Sequence, residues 1–142
     1  MICIPIIAGK FVEKVRPLID EAVNTIDICV FDWRWYPQDP AGAAQLFNAA
    51  IVRAARRGVQ VRAIVNNQNV ADILKGCGVQ TKKFVSAHLL HNKLMIIDGK
   101  TVITGSHNYT QSAFTANYEL SVILNDIIGL GEIQTFFNNL WR

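Results

Sequence analysis

At 142 residues, the chain has the length of one domain and can bury most of its apolar surface around a single core. Hydrophobic residues make up 51% and charged residues 18%, with mean hydropathy +0.22, which excludes a disordered chain. The net charge of +3 and pI near 8.9 suit an anionic partner, and no apolar run reaches the ~18 residues that span a bilayer.

The opening "MICIPIIAG" is a short strand that lacks the charged start of a secretory signal. The expected location is therefore cytoplasmic, with a periplasmic one requiring a precursor segment, and no stable membrane association is expected. "GKFVEKVRPLIDEAVNT" repeats apolar residues at helical spacing (Phe11, Val12, Val15, Leu18, Ile19, Ala22), although Pro17 weakens its first half. "IDICVFDW" reads as a buried strand. "DPAGAAQLFNAAIVRAARRG" is a helix that stops at Gly58, with Arg53, Arg56 and Arg57 where cations suit the helix dipole. "VQVRAIVN" is a strand, Gln68 to Cys77 a short helix, and "VQTKKFV" an extended segment. After a hairpin over residues 91–108, "NYELSVILN" is a strand, and a C-terminal helix begins near Asp126. This alternation predicts one α/β domain over residues 1–142, with a mostly parallel mixed β-sheet flanked by helices on both faces. Cys3, Cys29 and Cys77 form no metal-type or redox pair and read as buried free thiols.

Residues 91–108, "HNKLMIIDGKTVITGSHN", carry the chemistry. Asp98-Gly99 is a strong signal for a two-residue type I′ turn, and the flanking "KLMII" and "KTVIT" supply two strand-like arms. With a two-residue turn Ile97 faces Lys100 and His91 faces Ser106. A three-residue turn moves the partner of His91 to His107. In either register the far ends of the hairpin meet, and side chains two apart share a face, which pairs His91 with Lys93 and Ser106 with Asn108. An ammonium, an amide and a hydroxyl are phosphate-binding groups, an imidazole is a nucleophile or general acid–base, and Gly105 permits close backbone approach to an anion. Singly, each of these residues is an ordinary strand-end side chain.

Together they resemble the phospholipase D superfamily, whose signature H-x-K-x4-D-x6-G-S-x-N stands here as His91, Lys93, Asp98, Gly105, Ser106 and Asn108 without a spacing error. Glu119 falls where members of that family carry an acid after the G-S-x-N element, and His107 occupies a position where an aromatic residue is common. Large members carry two such motifs in one chain. A single motif in a short chain resembles the small bacterial nucleases of the superfamily, which pair two identical chains.

The resemblance implies a hydrolase acting on phosphodiester bonds, with one His91 forming a covalent phosphohistidine and a second protonating the leaving oxygen. Lys93 and Asn108 would hold the non-bridging oxygens, with Ser106 assisting. Glu119 would orient a His91, while Asp98 and Gly99 shape the turn, and no metal or cofactor is needed. A homodimer would complete the site. The expected substrate is nucleic acid, DNA before RNA, with "RAARRG" and Lys82-Lys83 as added backbone contacts and Trp33, Trp35 and Tyr36 as stacking or core residues. Phospholipase or phosphatidyl-transfer activity, and a non-catalytic nucleic-acid-binding module, are the alternatives.

Overall fold

The computed structural model describes residues 1–142. Seven strands form one sheet: β1 (Ile2–Ile7), β2 (Thr25–Val30), β3 (Gln60–Val65), β4 (Gln80–Lys83), β5 (Lys93–Ile97), β6 (Thr101–Gly105) and β7 (Leu120–Asn125), in the order β1-β7-β6-β5-β2-β3-β4. The helices are α1 (Phe11–Glu21), α2 (Ala43–Arg56), α3 (Gln68–Gly76), α4 (Gln111–Thr115) and α5 (Leu130–Trp141), with a 3-10 turn at Ala8–Lys10. No helix is long and apolar enough to cross a membrane.

The α/β class and mixed sheet agree with the sequence, but the sheet is mostly antiparallel. Only β2–β3 and β3–β4 run parallel, whereas β1–β7, β7–β6, β6–β5 and β5–β2 are antiparallel. The strand–helix–strand alternation runs from β1 to β4, but only β2, β3 and β4 become parallel neighbours. The β5–β6 hairpin then enters beside β2, and β1 pairs with β7 at the far edge instead of joining β2.

Helices cover both faces unequally. The larger core gathers Val12, Val15 and Ile19 of α1, Phe47 and Ile51 of α2, Val70 and Leu74 of α3, and Phe114 of α4 against one face. The smaller core sets Phe137 of α5 against Cys29, Ile64, Leu94, Ile96 and Val102 on the other. A part-buried ion pair, Asp27 with Arg62 at 2.8 Å, helps seat α5, because Asp27 also accepts from Gln134 and Arg62 donates to Asn138. On this second face Cys3, Pro5, Ile7 and Leu120 remain exposed.

Several local expectations need revision. Helix α1 runs unbroken through Pro17 because that residue is exposed, so water can satisfy the carbonyl its ring leaves without a partner. Helix α5 starts at Leu130 instead of Asp126, since Asp126 (φ 53°) and Gly129 (φ 93°) form a left-handed turn first. Only Cys29 is buried among the three free thiols, since Cys3 is exposed and Cys77 half-buried. Burial outweighs a hydrogen bond with Asn92 and pushes the Cys29 pKa up to about 11, so it stays a neutral thiol.

Candidate active site

Sheet register determines what meets at one end. The end of β2 lies against the start of β5 (Val30 opposite Lys93), the end of β6 against the start of β7 (Gly105 opposite Ser121), and Ile7 of β1 faces Leu120. His91, Lys93, Ser106, Asn108 and Glu119 therefore all belong to this end. Asp98 lies at the other, roughly 17 Å from Lys93 along a five-residue strand.

Asp98 and Gly99 both take positive φ, 53° and 61°, as a type I′ turn requires, and the Lys100 amide donates to the Ile97 carbonyl at 3.0 Å. Lys100 nevertheless drops out of the ladder, and Ile97 pairs with Thr101. This is the three-residue register, and its ladder ends at Leu94 opposite Thr104, short of His91.

The His91 ring is exposed and lies 3.4 and 3.5 Å, by its two nitrogens, from the Lys93 ammonium. The Phe31 ring flanks both, at 4.9 Å from the imidazole centroid and 5.6 Å from the Lys93 nitrogen. The Asn108 side-chain carbonyl accepts from the Asp32 amide at 3.2 Å, which leaves the amide NH2 without a partner in the chain and open to substrate.

The Ser106 hydroxyl donates to Glu119 at 2.5 Å and accepts from the Leu120 amide at 3.0 Å, while the Ser106 amide donates to the Leu120 carbonyl. The hydroxyl and the amide of Ser106, the residue expected to assist at phosphate, are thus both engaged within the chain. Glu119 also accepts from Asn117 at 3.0 Å and makes no hydrogen bond to its own His91. Partial burial opposes the Glu119 charge, but the bonds from Ser106 and Asn117, with the charges of His107 and Lys93, outweigh it and hold the pKa below the ordinary carboxylate value.

Gly105 serves the sheet: a Cβ there would lie 2.3 Å from the Ser121 Cα, at φ 153°. His107 is buried, with one ring nitrogen 2.7 Å from the Ser121 hydroxyl and the other 2.8 Å from the Ala8 carbonyl, and its ring packs on Phe11. Burial lowers its pKa despite opposing contributions from Ala8 and Glu119. It fills a core position, which explains how a histidine replaces an aromatic residue. His88 lies in an exposed loop. His91 is therefore the one histidine aligned with the polar cluster. Asp98 accepts from the amides of Val23, Asn24 and Thr25 at 2.7–3.3 Å, which makes its role structural.

Residues outside the motif divide similarly. Trp33 is core, its indole donating to Asn48 at 2.7 Å, and Trp35 and Tyr36 pack against that core. Arg53 pairs with Asp20, and Arg57 caps the Ile19 and Ala22 carbonyls, which places "RAARRG" at the Asp98 end and not beside His91. Lys82 is occupied by the last carbonyls of α5, whereas Lys83 is exposed at the site end. No three His, Cys, Asp or Glu side chains converge as a metal site.

Residues 15–141 match the family model described as "Cardiolipin synthase, PLD-like domain". The chain belongs to the phospholipase D-like domain family. A curated relative, the mitochondrial cardiolipin hydrolase of Chlamydomonas reinhardtii, is 30% identical over 129 residues, covering 87% of this chain and 54% of the relative. The chain thus spans about half the length of the curated relatives it matches. Nuc from Salmonella typhimurium, a phospholipase D family member, shares the fold with TM-score 0.80 and 22% identity, covering 99% of this chain and 95% of that one. NucT from Helicobacter pylori gives 0.76 at 20% identity, with the same coverage. These two likenesses establish the fold over nearly the whole phospholipase D-like domain.

Proposed function

We propose that this phospholipase D-like chain is a metal-independent phosphodiesterase whose site is completed by a second copy, and that it acts as an endonuclease on DNA in preference to RNA. The carrying observation is the His91–Lys93–Asn108 cluster, with a reachable imidazole, ammonium and amide at one sheet end, while His107 is buried in the core and His88 lies in an exposed loop.

In this reading a His91 nitrogen attacks phosphorus, and the bond to the leaving oxygen breaks as the partner's His91 gives that oxygen a proton. Water, deprotonated by the same partner imidazole, then cleaves the phosphohistidine and restores both histidines. Lys93 and Asn108 stabilise the charge that builds on the non-bridging oxygens. Glu119 would accept from the far ring nitrogen of a His91 and so set its tautomer.

Two features support pairing of chains. One motif supplies one imidazole where the mechanism uses two. The surface beside it is also apolar and open, with Ile7 and Leu120 paired across the sheet at 60% and 58% exposure and Tyr118 fully exposed.

A lipid phosphodiester is the second reading. It draws on the cardiolipin hydrolase relative and on Val85 and Leu89, which are 83% and 69% exposed in the loop that leads to His91.

Plasmid DNA, single-stranded DNA, RNA and labelled cardiolipin vesicles, each incubated with protein in excess EDTA, separate these readings. DNA cleavage that His91→Asn abolishes, in a species of two-chain mass by light scattering, is the expected result. Cleavage of lipid alone overturns the nuclease assignment, turnover by a monomer overturns the shared site, and cleavage of nothing leaves a binding module.

A further inference from the structure

His91 precedes β5 and stands at the end of an exposed link, so no strand pairing holds it. Its ring nitrogens contact only Lys93, a long flexible side chain that cannot orient a ring by itself. The residues on either side of it are nevertheless anchored. The Asn66 amide donates to the Leu90 carbonyl and to the Phe31 carbonyl, both at 3.0 Å, and the Phe31 amide donates to the Asn92 carbonyl at 3.1 Å. The Asn92 side chain is tied to the Cys29 carbonyl and thiol, and Leu90 is buried in the smaller core. These bonds join the ends of β2 and β3 to both neighbours of His91, and the Phe31 ring then meets the imidazole at 4.9 Å, tilted by 50°.

We propose that Phe31 and Asn66 are positioning residues for the reaction: the Phe31 ring is a shared platform for His91 and Lys93, and Asn66 holds the two backbone segments that carry ring and imidazole. This rests on His91 being the nucleophile of the proposed phosphodiesterase. Neither residue touches the phosphate. Their effect is on how often the imidazole and ammonium stand in attacking geometry, and displacing a reacting group by about 1 Å can cost roughly 10²-fold in rate. A platform of this kind acts on kcat and leaves substrate affinity nearly alone, because the polar groups that meet the substrate are still present.

Phe31→Leu keeps an apolar side chain of similar size but removes the aromatic face, Phe31→Tyr keeps that face, and Asn66→Ala removes both carbonyl anchors. With bis(p-nitrophenyl) phosphate as probe and the full chain as enzyme, Phe31→Leu and Asn66→Ala should each lower kcat about tenfold or more with KM within about twofold, while Phe31→Tyr restores the rate. Thermal melting of each variant reports its fold. A folded Phe31→Leu variant with kcat near that of the unmodified protein overturns the proposal, as does failure of Phe31→Tyr to restore the rate.

Ring-proton NMR of His91, assigned by its loss in His91→Asn, provides a readout that does not depend on turnover. The Phe31 ring current should displace the His91 resonances, and Phe31→Leu should return them toward free-histidine positions. Unmoved resonances overturn the platform even in an active enzyme. A protein that cleaves no phosphodiester yet shows the shift loses the phosphodiesterase assignment and keeps the platform.

Discussion

Replacing Asp98 by Asn separates a structural from a chemical role for the central acid of the motif. One Asp98 oxygen accepts from the amides of Asn24 (2.7 Å), Thr25 (3.0 Å) and Val23 (3.3 Å), and the other accepts from Val23 at 3.1 Å. Asparagine tolerates the positive φ of 53° and retains one carbonyl oxygen, so the substitution removes chiefly the charge and the second acceptor. A hydrogen bond to a charged group contributes about 1.5–3 kcal/mol when shielded, but the Val23 and Asn24 amides are exposed and water replaces much of theirs. The part-buried Thr25 bond therefore dominates, and the expected loss is about 1–2 kcal/mol. For a domain of this size that corresponds to a fall in Tm of roughly 5 °C.

The sign of the pH dependence follows from the same contacts. Partial burial opposes the Asp98 charge, but the amides of Asn24, Thr25 and Val23, with Lys100, outweigh it and hold the pKa below its ordinary value of 3.8. Below that value the unfolded chain takes up protons before the folded one, so the carboxylate's contribution is complete above 3.8 and disappears as pH falls through the lowered pKa. Melting curves should thus separate the two proteins at pH 7 and converge in acid, and turnover measured below both transitions should be equal. Lost turnover with an unchanged Tm would refute the reasoning and place Asp98 in the chemistry.

Three further outcomes are expected. Gly105→Ala drives a Cβ to 2.3 Å from the Ser121 backbone and should cost about 3 kcal/mol or prevent folding, whereas Gly99→Ala meets no atom and should cost about 1 kcal/mol for its φ of 61°; urea titration compares them. His107→Phe should retain turnover and flatten the acid side of the stability profile. With its pKa lowered by burial, the neutral His107 of the folded chain resists a proton that the unfolded chain accepts, so stability falls as pH drops from the ordinary value of 6.5 to the lowered one. His91→Asn should leave Tm and mass unchanged while turnover disappears, and substantial residual activity would shift the nucleophile elsewhere.

Local pattern determined most of what the sequence reveals. Helical spacing placed α1, α2 and α3, strand runs placed β2 and β3, and Asp98-Gly99 placed the hairpin, because each rests on contacts within a few residues. The short α4 carries no such signal, since five residues hold too little periodicity and its cap, Thr110 accepting from the Ala113 amide, is a single residue. Candidate residues were legible for the same reason, as the motif is one continuous stretch.

Tertiary structure decided what those residues do. Strand order, set by long-range pairing, made the sheet mostly antiparallel and sent "RAARRG" to the end away from His91. Burial converted His107 into a core residue, and a 2.5 Å contact spent the Ser106 hydroxyl on Glu119. Phe31 and Asn66 carry no motif at all. Their relation to His91 exists only because the ends of β2 and β3 meet the start of β5, a juxtaposition that arises when the sheet assembles and that residue spacing along the chain does not encode.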